Sequence, residues 1–216
     1  LAQTYEQVEI IVVEDGSDVG IKTWLKQNSY NNITYIRHPK NRGLAAARNT
    51  GLKLSNGQFI GYLDDDDEWK PKKLERQINR LSELRLDDNQ KLGAIYCAAE
   101  VHMPNTDRSI INHPTNKGVL KESIIQHGAK TVSSSALFSK TALKKIGGFD
   151  ENLTSSIDHD IWMSLAVNGY EVETLDEALV ITYNRPTGRM TTDVVARIQG
   201  VKIFTTKWQP TFEDWL

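Results

Sequence analysis

Four consecutive carboxylates, Asp64, Asp65, Asp66 and Asp67, follow directly on the apolar run at residues 58–63. Adjacent carboxylates repel one another, and water or a cation must relieve the repulsion. Hard divalent cations take oxygen ligands, and Mg²⁺ typically uses one or two carboxylates plus substrate phosphates. Acids at the carboxyl end of a buried strand stand where open α/β sheets bind their ligands. Two readings fit the stretch by itself. One is a metal–phosphate site; the other is a solvated acidic loop capping the next helix, since Asp and Glu favour helix N-termini. The position behind a strand favours the first. Two further acidic sites, Asp15 and the pair Asp158 and Asp160, fall at a strand end and a helix start. Acids so separated can divide the work, one holding a metal and another acting as base. Asp158 equally suits an N-cap that accepts backbone N–H bonds.

The other polar residues narrow the chemistry. The five histidines lack paired metal-ligand spacing, and only His159 lies beside a candidate catalytic acid. Ser133, Ser134 and Ser135 carry no nucleophile-elbow pattern. No Gly-Lys-Ser/Thr phosphate loop occurs, which excludes an ATPase of that type. Arg185 and Arg189 share a basic loop; such charges are usually just solvated, but beside a metal-bound diphosphate they can stabilise a departing phosphate. Lys plus Arg (26) nearly balances Asp plus Glu (28), so no global field points to nucleic acid. No apolar stretch is long enough to span a membrane. The lone cysteine, Cys97, sits in an apolar run as a small buried hydrophobe, and a reducing, cytoplasmic setting follows.

These residues need elements to hold them. Residues 1–7 read as the tail of a helix, and residues 8–13 as a strand ending in an acidic glycine turn. A helical face at Ile21, Trp24 and Leu25 and a strand at residues 33–37 come next. Residues 44–54 are alanine-rich and helical, stopped by Asn56-Gly57. After the acid cluster, Pro71 opens a helix whose core stripe is Leu74, Ile78, Leu81 and Leu84. This alternation of strand and helix predicts an α/β fold with a mostly parallel central sheet flanked by helices. The second half reads as a strand at 92–103, a polar loop to 117, and a helix at 119–127. A strand at 133–138, helices at 141–146 and 158–168, and strand structure within 172–183 complete it. The last segment is helical until Pro210.

The blocks "QTYEQVEIIVVEDGS", "NRGLAAARNTGL", "FIGYLDDDDEWKPKKLE", "GGFDENL" and "DHDIW" occur in the order and spacing of glycosyltransferase family 2, which the chain resembles from its first residues to about Tyr183. That family comprises inverting, GT-A-fold enzymes that use nucleotide-diphosphate sugars. The resemblance implies that Asp15 hydrogen-bonds the nucleotide base, typically uracil, and that Arg48 and Asp65 border the nucleotide. Asp64 and Asp66 match the Asp-x-Asp motif, the first reaching toward ribose and metal, the second binding the Mg²⁺ or Mn²⁺ that bridges the phosphates. Asp158 matches the general base, with His159, Arg185 and Arg189 as diphosphate or acceptor contacts. Departures stand at Ile157 for the usual Glu, His159 for an aromatic, Ser164 for an Arg, and Pro186 near a common His. These bear on the acceptor more than on the reaction.

The resemblance further implies that the family's first strand is missing here, so that the native protein begins further upstream or the chain is trimmed or defective. Residues 1–190 are expected to form the GT-A domain and 191–216 a helical, aromatic tail. The partners that the resemblance implies are a nucleotide-sugar donor, by the family's habit a UDP-sugar, and a saccharide or lipid-linked saccharide acceptor of bacterial surface-polysaccharide or glycolipid synthesis. Ile203, Phe204, Trp208, Phe212 and Trp215 pack on the core or else dock a second copy or the inner face of the membrane. Two rival functions remain: a receiver-type signalling domain binding Mg²⁺ through "IIVVEDG", and a nucleotide-sugar-binding module without turnover.

Overall fold

The structure is a computed structural model that describes residues 2–17, 19–84, 91–104, 106–129, 132–183 and 194–216. The elements in chain order are β1 (Ile10–Asp15), α1 (Ile21–Gln27), β2 (Ile33–His38), α2 (Leu44–Leu54), β3 (Phe59–Gly61), β4 (Asp67–Trp69) and α3 (Lys73–Glu83). They continue with β5 (Leu92–His102), β6 (Ser109–Asn112), β7 (Gly118–Val119), α4 (Leu120–His127), β8 (Ala136–Ser139), α5 (Lys140–Lys145), α6 (Ile157–Val167), β9 (Glu171–Tyr183) and α7 (Val194–Trp215).

The α/β expectation holds, but the sheet is mixed rather than mostly parallel. Among the described residues only β1 with β2 and β5 with β9 pair in parallel. β3 runs antiparallel to β8, β8 to β5, and β4 to β9. β5 also turns back at once into β6, and so short a connection permits only antiparallel pairing. Alternation of strand and helix along the chain does not set the direction of strands paired from distant segments. Among the described residues the strands form two sheets, β1-β2 and a seven-stranded sheet with β3 at one end of its order. Among the described residues no strand lies between β1 and β3.

The core sits between the larger sheet and helices α4, α5 and α6. Trp162 is fully buried there, its ring 5.4 Å from that of Tyr96 and 5.9 Å from that of Phe138. β5 is buried along almost its whole apolar run, Cys97 included.

Three local expectations change. Residues 2–7 are not helical; Gln3 Nε2 donates to the Lys70 carbonyl at 2.9 Å and Thr4 N to that of Pro71 at 2.9 Å, pinning this segment on the start of α3. The polar loop at 103–117 contains the edge strand β6. Helix α7 runs through Pro210 to Trp215. A mid-helix proline loses a backbone hydrogen bond, at about 3 kcal/mol. Trp208, Phe212 and Trp215, packed on the main core around it, offset that loss. Among the described residues no helix is long and apolar enough to cross a membrane.

Candidate active site

The site gathers at the carboxyl ends of β1 and β3. Asp15, the last residue of β1, leads into Gly16 at φ +74°, where a Cβ would lie 2.0 Å from the backbone N of Asn41. Only glycine lets the turn press so closely on the loop before α2. Asp15 ties that contact down. Its Oδ1 lies 2.7 Å from His38 Nδ1, and its carboxylate accepts from Arg42 N at 3.0 Å and Gly43 N at 2.7 Å. His38 Nε2 in turn meets Thr50 Oγ1 at 2.9 Å. Burial opposes ionisation of Asp15, but the bonds from His38, Arg42 and Gly43 outweigh it and hold the carboxyl below its ordinary range. Any ligand group reaching Asp15 would therefore compete with partners from the same chain.

The receiver reading fails at this turn. Glu14, which it pairs with Asp15 on a metal, instead accepts from Tyr35 and from Ser17 Oγ. The two acids answer to separate partners.

Arg48, one and a half turns into α2, is the centre of the site. Its side chain is 5% exposed. Nη1 donates to Asp158 Oδ1 at 2.7 Å and Nη2 to Asp64 Oδ1 at 2.9 Å. The guanidinium carbon lies 5.6 Å from the Tyr62 ring centre and 5.3 Å from that of Phe149, near enough for cation–π attraction. Burial disfavours the charge on Arg48, yet Asp158 and Asp64 more than restore it.

The turn after β3 is set by a residue that the sequence reading passed over. Ser134, fully buried, accepts from Asp64 N at 3.2 Å and donates through Oγ to Asp67 Oδ2 at 2.7 Å. Its carbonyl accepts from Trp69 Nε1 at 2.6 Å. The four aspartates thus separate in role: Asp67 turns inward into the short strand β4, Asp65 is exposed, and Asp64 and Asp66 are half-buried. Three serines in a row signalled only the question of a nucleophile, so this brace was not legible.

Asp158 is not the cap of α6. The N-cap is Ser156, held left-handed at φ 61°, with no side-chain cap bond. Asp158 lies in the first turn, where the helix dipole favours an anion, and reaches Arg48 instead. Asp160, its neighbour in the sequence, is absent from the site: it is buried and accepts from Trp208 Nε1 at 2.7 Å and Lys207 Nζ at 2.8 Å. His159 is exposed, with its ring set edgewise to Phe204 of α7. Arg185 and Arg189 lie outside the described residues. Asn49, also unforeseen, exchanges bonds with Phe149 N and O at 2.8 Å each and so seats Phe149 beneath Arg48. Gly148 leaves room for this, since a Cβ there would stand 2.6 Å from Asn49 Oδ1.

The donor chemistry fits a divalent cation in one specific way. Burial pushes the Asp64 carboxyl up; Arg48 pulls it back, and the charges of Asp158 and Asp66 push it up again. A cation shared by Asp64 and Asp66 would relieve that repulsion. Among the described residues no three acidic, His or Cys side chains converge as a complete metal cage. Such a cation needs oxygens from its ligand, as Mg²⁺ commonly does with phosphates.

Comparison with known proteins places this geometry in context. The family described as "Glycosyl transferase family 2" matches residues 1–147. An uncharacterized glycosyltransferase of Rickettsia typhi, RT0329, is 34% identical over 172 residues, which cover 75% of this chain and 50% of that protein. The Escherichia coli protein WfgD, named UDP-Glc:alpha-D-GlcNAc-diphosphoundecaprenol beta-1,3-glucosyltransferase, is 38% identical over 81 residues, 38% of this chain and 32% of its own. The solved structure of Staphylococcus aureus TarS residues 1–349 with UDP-GlcNAc superposes with TM-score 0.70 at 21% identity, covering 88% of this chain and 54% of that one. This likeness shows the fold, which is the expected GT-A type. The chain spans about half the length of the curated relatives RT0329 and RP339.

Proposed function

This chain belongs to glycosyl transferase family 2, and from that membership we propose that it transfers a sugar, with inversion, from a nucleoside-diphosphate donor to an acceptor hydroxyl. The observation that carries the reading is the fork of Arg48, which brings Asp64 and Asp158 from distant parts of the chain to one guanidinium. One acid then faces the donor diphosphate and the other the acceptor. Asp158 takes the proton of the acceptor hydroxyl as its oxygen attacks the anomeric carbon. The bond from that carbon to the diphosphate oxygen breaks, and the electron pair leaves with the nucleoside diphosphate. Arg48 holds Asp158 in place by hydrogen bond and charge. Asp64 and Asp66 would hold Mg²⁺ or Mn²⁺, which when bound offsets the charge of the departing diphosphate. Asp15 organises the base end of the donor site through residues 41–43, and Asp65 stands exposed at its rim.

A UDP-sugar is the proposed donor, supported by the TarS complex; a lipid-linked saccharide is the proposed acceptor, supported by the name of WfgD. A nucleotide-sugar donor and a single buried free thiol suit a reducing cytoplasmic setting. The test is calorimetric titration with a panel of nucleoside diphosphates, with and without Mn²⁺, followed by turnover with the matching nucleotide sugar. Metal-dependent binding of one diphosphate together with turnover is the expected result. Binding without turnover on any saccharide acceptor would reduce the protein to a binding module, and no binding would remove the reading.

A further inference from the structure

Arg48 holds the carboxylate of Asp158, but the backbone that carries this acid is held from elsewhere. Ser156, two residues earlier, sits left-handed at φ 61° and ψ 18° without the freedom of a glycine. Such a conformation persists only where its surroundings over-determine it. Here one element, α7, does so from both sides. Before Ser156, Thr154 Oγ1 donates to the Ala196 carbonyl at 2.7 Å and Ser155 Oγ to that of Arg197 at 3.0 Å. A helical carbonyl has a second lone pair for such a bond. Beyond Asp158, Trp208 Nε1 and Lys207 Nζ reach Asp160 Oδ1 at 2.7 and 2.8 Å. Lys207 Nζ also lies 2.9 Å from Asp150 Oδ2. Helix α7 thus grips the chain on either side of Asp158, while Asp158 itself turns to Arg48.

The seat of α7 depends on a glycine. Gly200 is buried against Ser155, and a Cβ there would lie 2.2 Å from Ser155 Oγ and 2.4 Å from Ser155 N. Glycine is otherwise a poor residue for the interior of a helix, because it loses the most backbone freedom on folding. The close approach is what it supplies. We propose that α7 positions the base: Thr154, Ser155 and Gly200 set where the Asp158 carboxylate stands, and so govern turnover rather than donor binding. The inference rests on the reading of Asp158 as the base. A displacement of about 1 Å at a reacting group can cost about 10²-fold in rate. Asp64, on the donor side, takes its place from β3 and Ser134 instead.

The experiment uses the whole chain. Thr154→Val with Ser155→Ala removes both hydroxyl donors and little volume, Thr154→Ser keeps its donor, and Gly200→Ala adds the obstructing Cβ. Trp215→Ser weakens only the far end of α7. Turnover is read as UDP released from UDP-GlcNAc or UDP-glucose, whichever the parent consumes, and donor binding as the Kd of UDP with Mn²⁺. The double variant and Gly200→Ala should lose about 10- to 100-fold in kcat and keep the UDP Kd within about twofold. Amide hydrogen exchange over residues 156–160 should quicken in both, with α2 unchanged. Thr154→Ser and Trp215→Ser should keep the parental kcat, the latter at a lower Tm. Should Gly200→Ala not fold, the double variant decides by itself. Parental kcat or unchanged exchange in the double variant would overturn the inference. So would kcat and UDP affinity falling together, or an equal loss of kcat in Trp215→Ser. A parent that turns over neither sugar nucleotide, or a fully active Asp158→Asn, would instead remove the reading beneath it.

Discussion

Arg48 Nη1 lies 2.7 Å from Asp158 Oδ1, an ion pair that joins the middle of α2 to the first turn of α6. The same guanidinium holds Asp64 at 2.9 Å, so a shift of either carboxylate is felt by the other. Tyr62 and Phe149, their rings in edge-to-face contact at 5.1 Å, both border the guanidinium, and Asn49 fixes Phe149. The proposed base therefore owes its position to a chain of contacts that ends in the loop around Gly148. That arrangement separates catalytic from structural effects in a way that substitutions can read.

Asp158→Asn keeps an oxygen for Arg48 Nη1 but removes the proton acceptor. Transfer should fall by a factor of about 10² to 10⁴, the usual worth of a general base, with donor binding nearly unchanged and a lower Tm, because buried Arg48 keeps Asp64 but loses one of the two charges that offset its burial. Turnover and melting on one preparation check this. A stable and fully active variant would exclude Asp158 from the chemistry.

For the metal, Asp66→Asn should abolish the Mn²⁺-dependent part of UDP binding. Asp67→Asn should lose far less, because its amide oxygen still accepts from Ser134 Oγ as Asp67 Oδ2 does at 2.7 Å. Calorimetry with and without Mn²⁺ distinguishes the two aspartates. Equal metal-dependent affinity in the parent and Asp66→Asn would remove the assignment.

What the sequence disclosed follows from what each residue must satisfy locally. The acid cluster announced itself because an apolar run fed straight into it, although β3 ends at Gly61, before Tyr62 and Leu63. Asp158 could be singled out as an acid at a helix start, but its choice between cap and site depended on Arg48, an ordinary residue of an alanine-rich helix. Ser134 was invisible for a similar reason, since its partners Asp64 and Asp67 reach it only through the β3–β8 pairing. The mixed sheet was hidden because alternation reports local order and not strand direction. Pro210 misled because its local loss is offset by ring packing that no window of sequence contains.

The aromatic tail yields a sharper test than it did as sequence. Trp208 is 7% exposed in the main core, and its indole is one of two donors to buried Asp160. Trp208→Ser should lower stability by about 3–5 kcal/mol through the lost packing, and leave Asp160 to Lys207 alone. Trp215→Ser, at the partly buried end of α7, should lose less. Urea midpoints rank them. If instead both variants unfold like the parent while self-association or liposome binding disappears, the tail is a docking surface after all.

The last prediction concerns a lysine outside the site. Lys73 is completely buried, with Nζ 2.9 Å from Gln77 Oε1 and 4.0 Å from the Trp69 ring centre. Burial pushes its ammonium down to about 8, with the neighbouring Cys97 pulling weakly the other way. In the unfolded chain a lysine titrates near about 10.4. Between these values the unfolded state binds more protons, so stability must rise as pH climbs from about 8 toward 10. Below about 8 the burial of the charge costs its full amount, on the order of 3 kcal/mol. Lys73→Met removes the charge but leaves Gln77 Oε1 without its donor, an opposing loss of about 1–3 kcal/mol. The variant should therefore match or modestly exceed the parent at pH 7, and its advantage should shrink and then reverse as pH rises through 8 to 10. Urea unfolding of both proteins across that window gives the difference directly. Parallel pH profiles would show that Lys73 carries no such penalty.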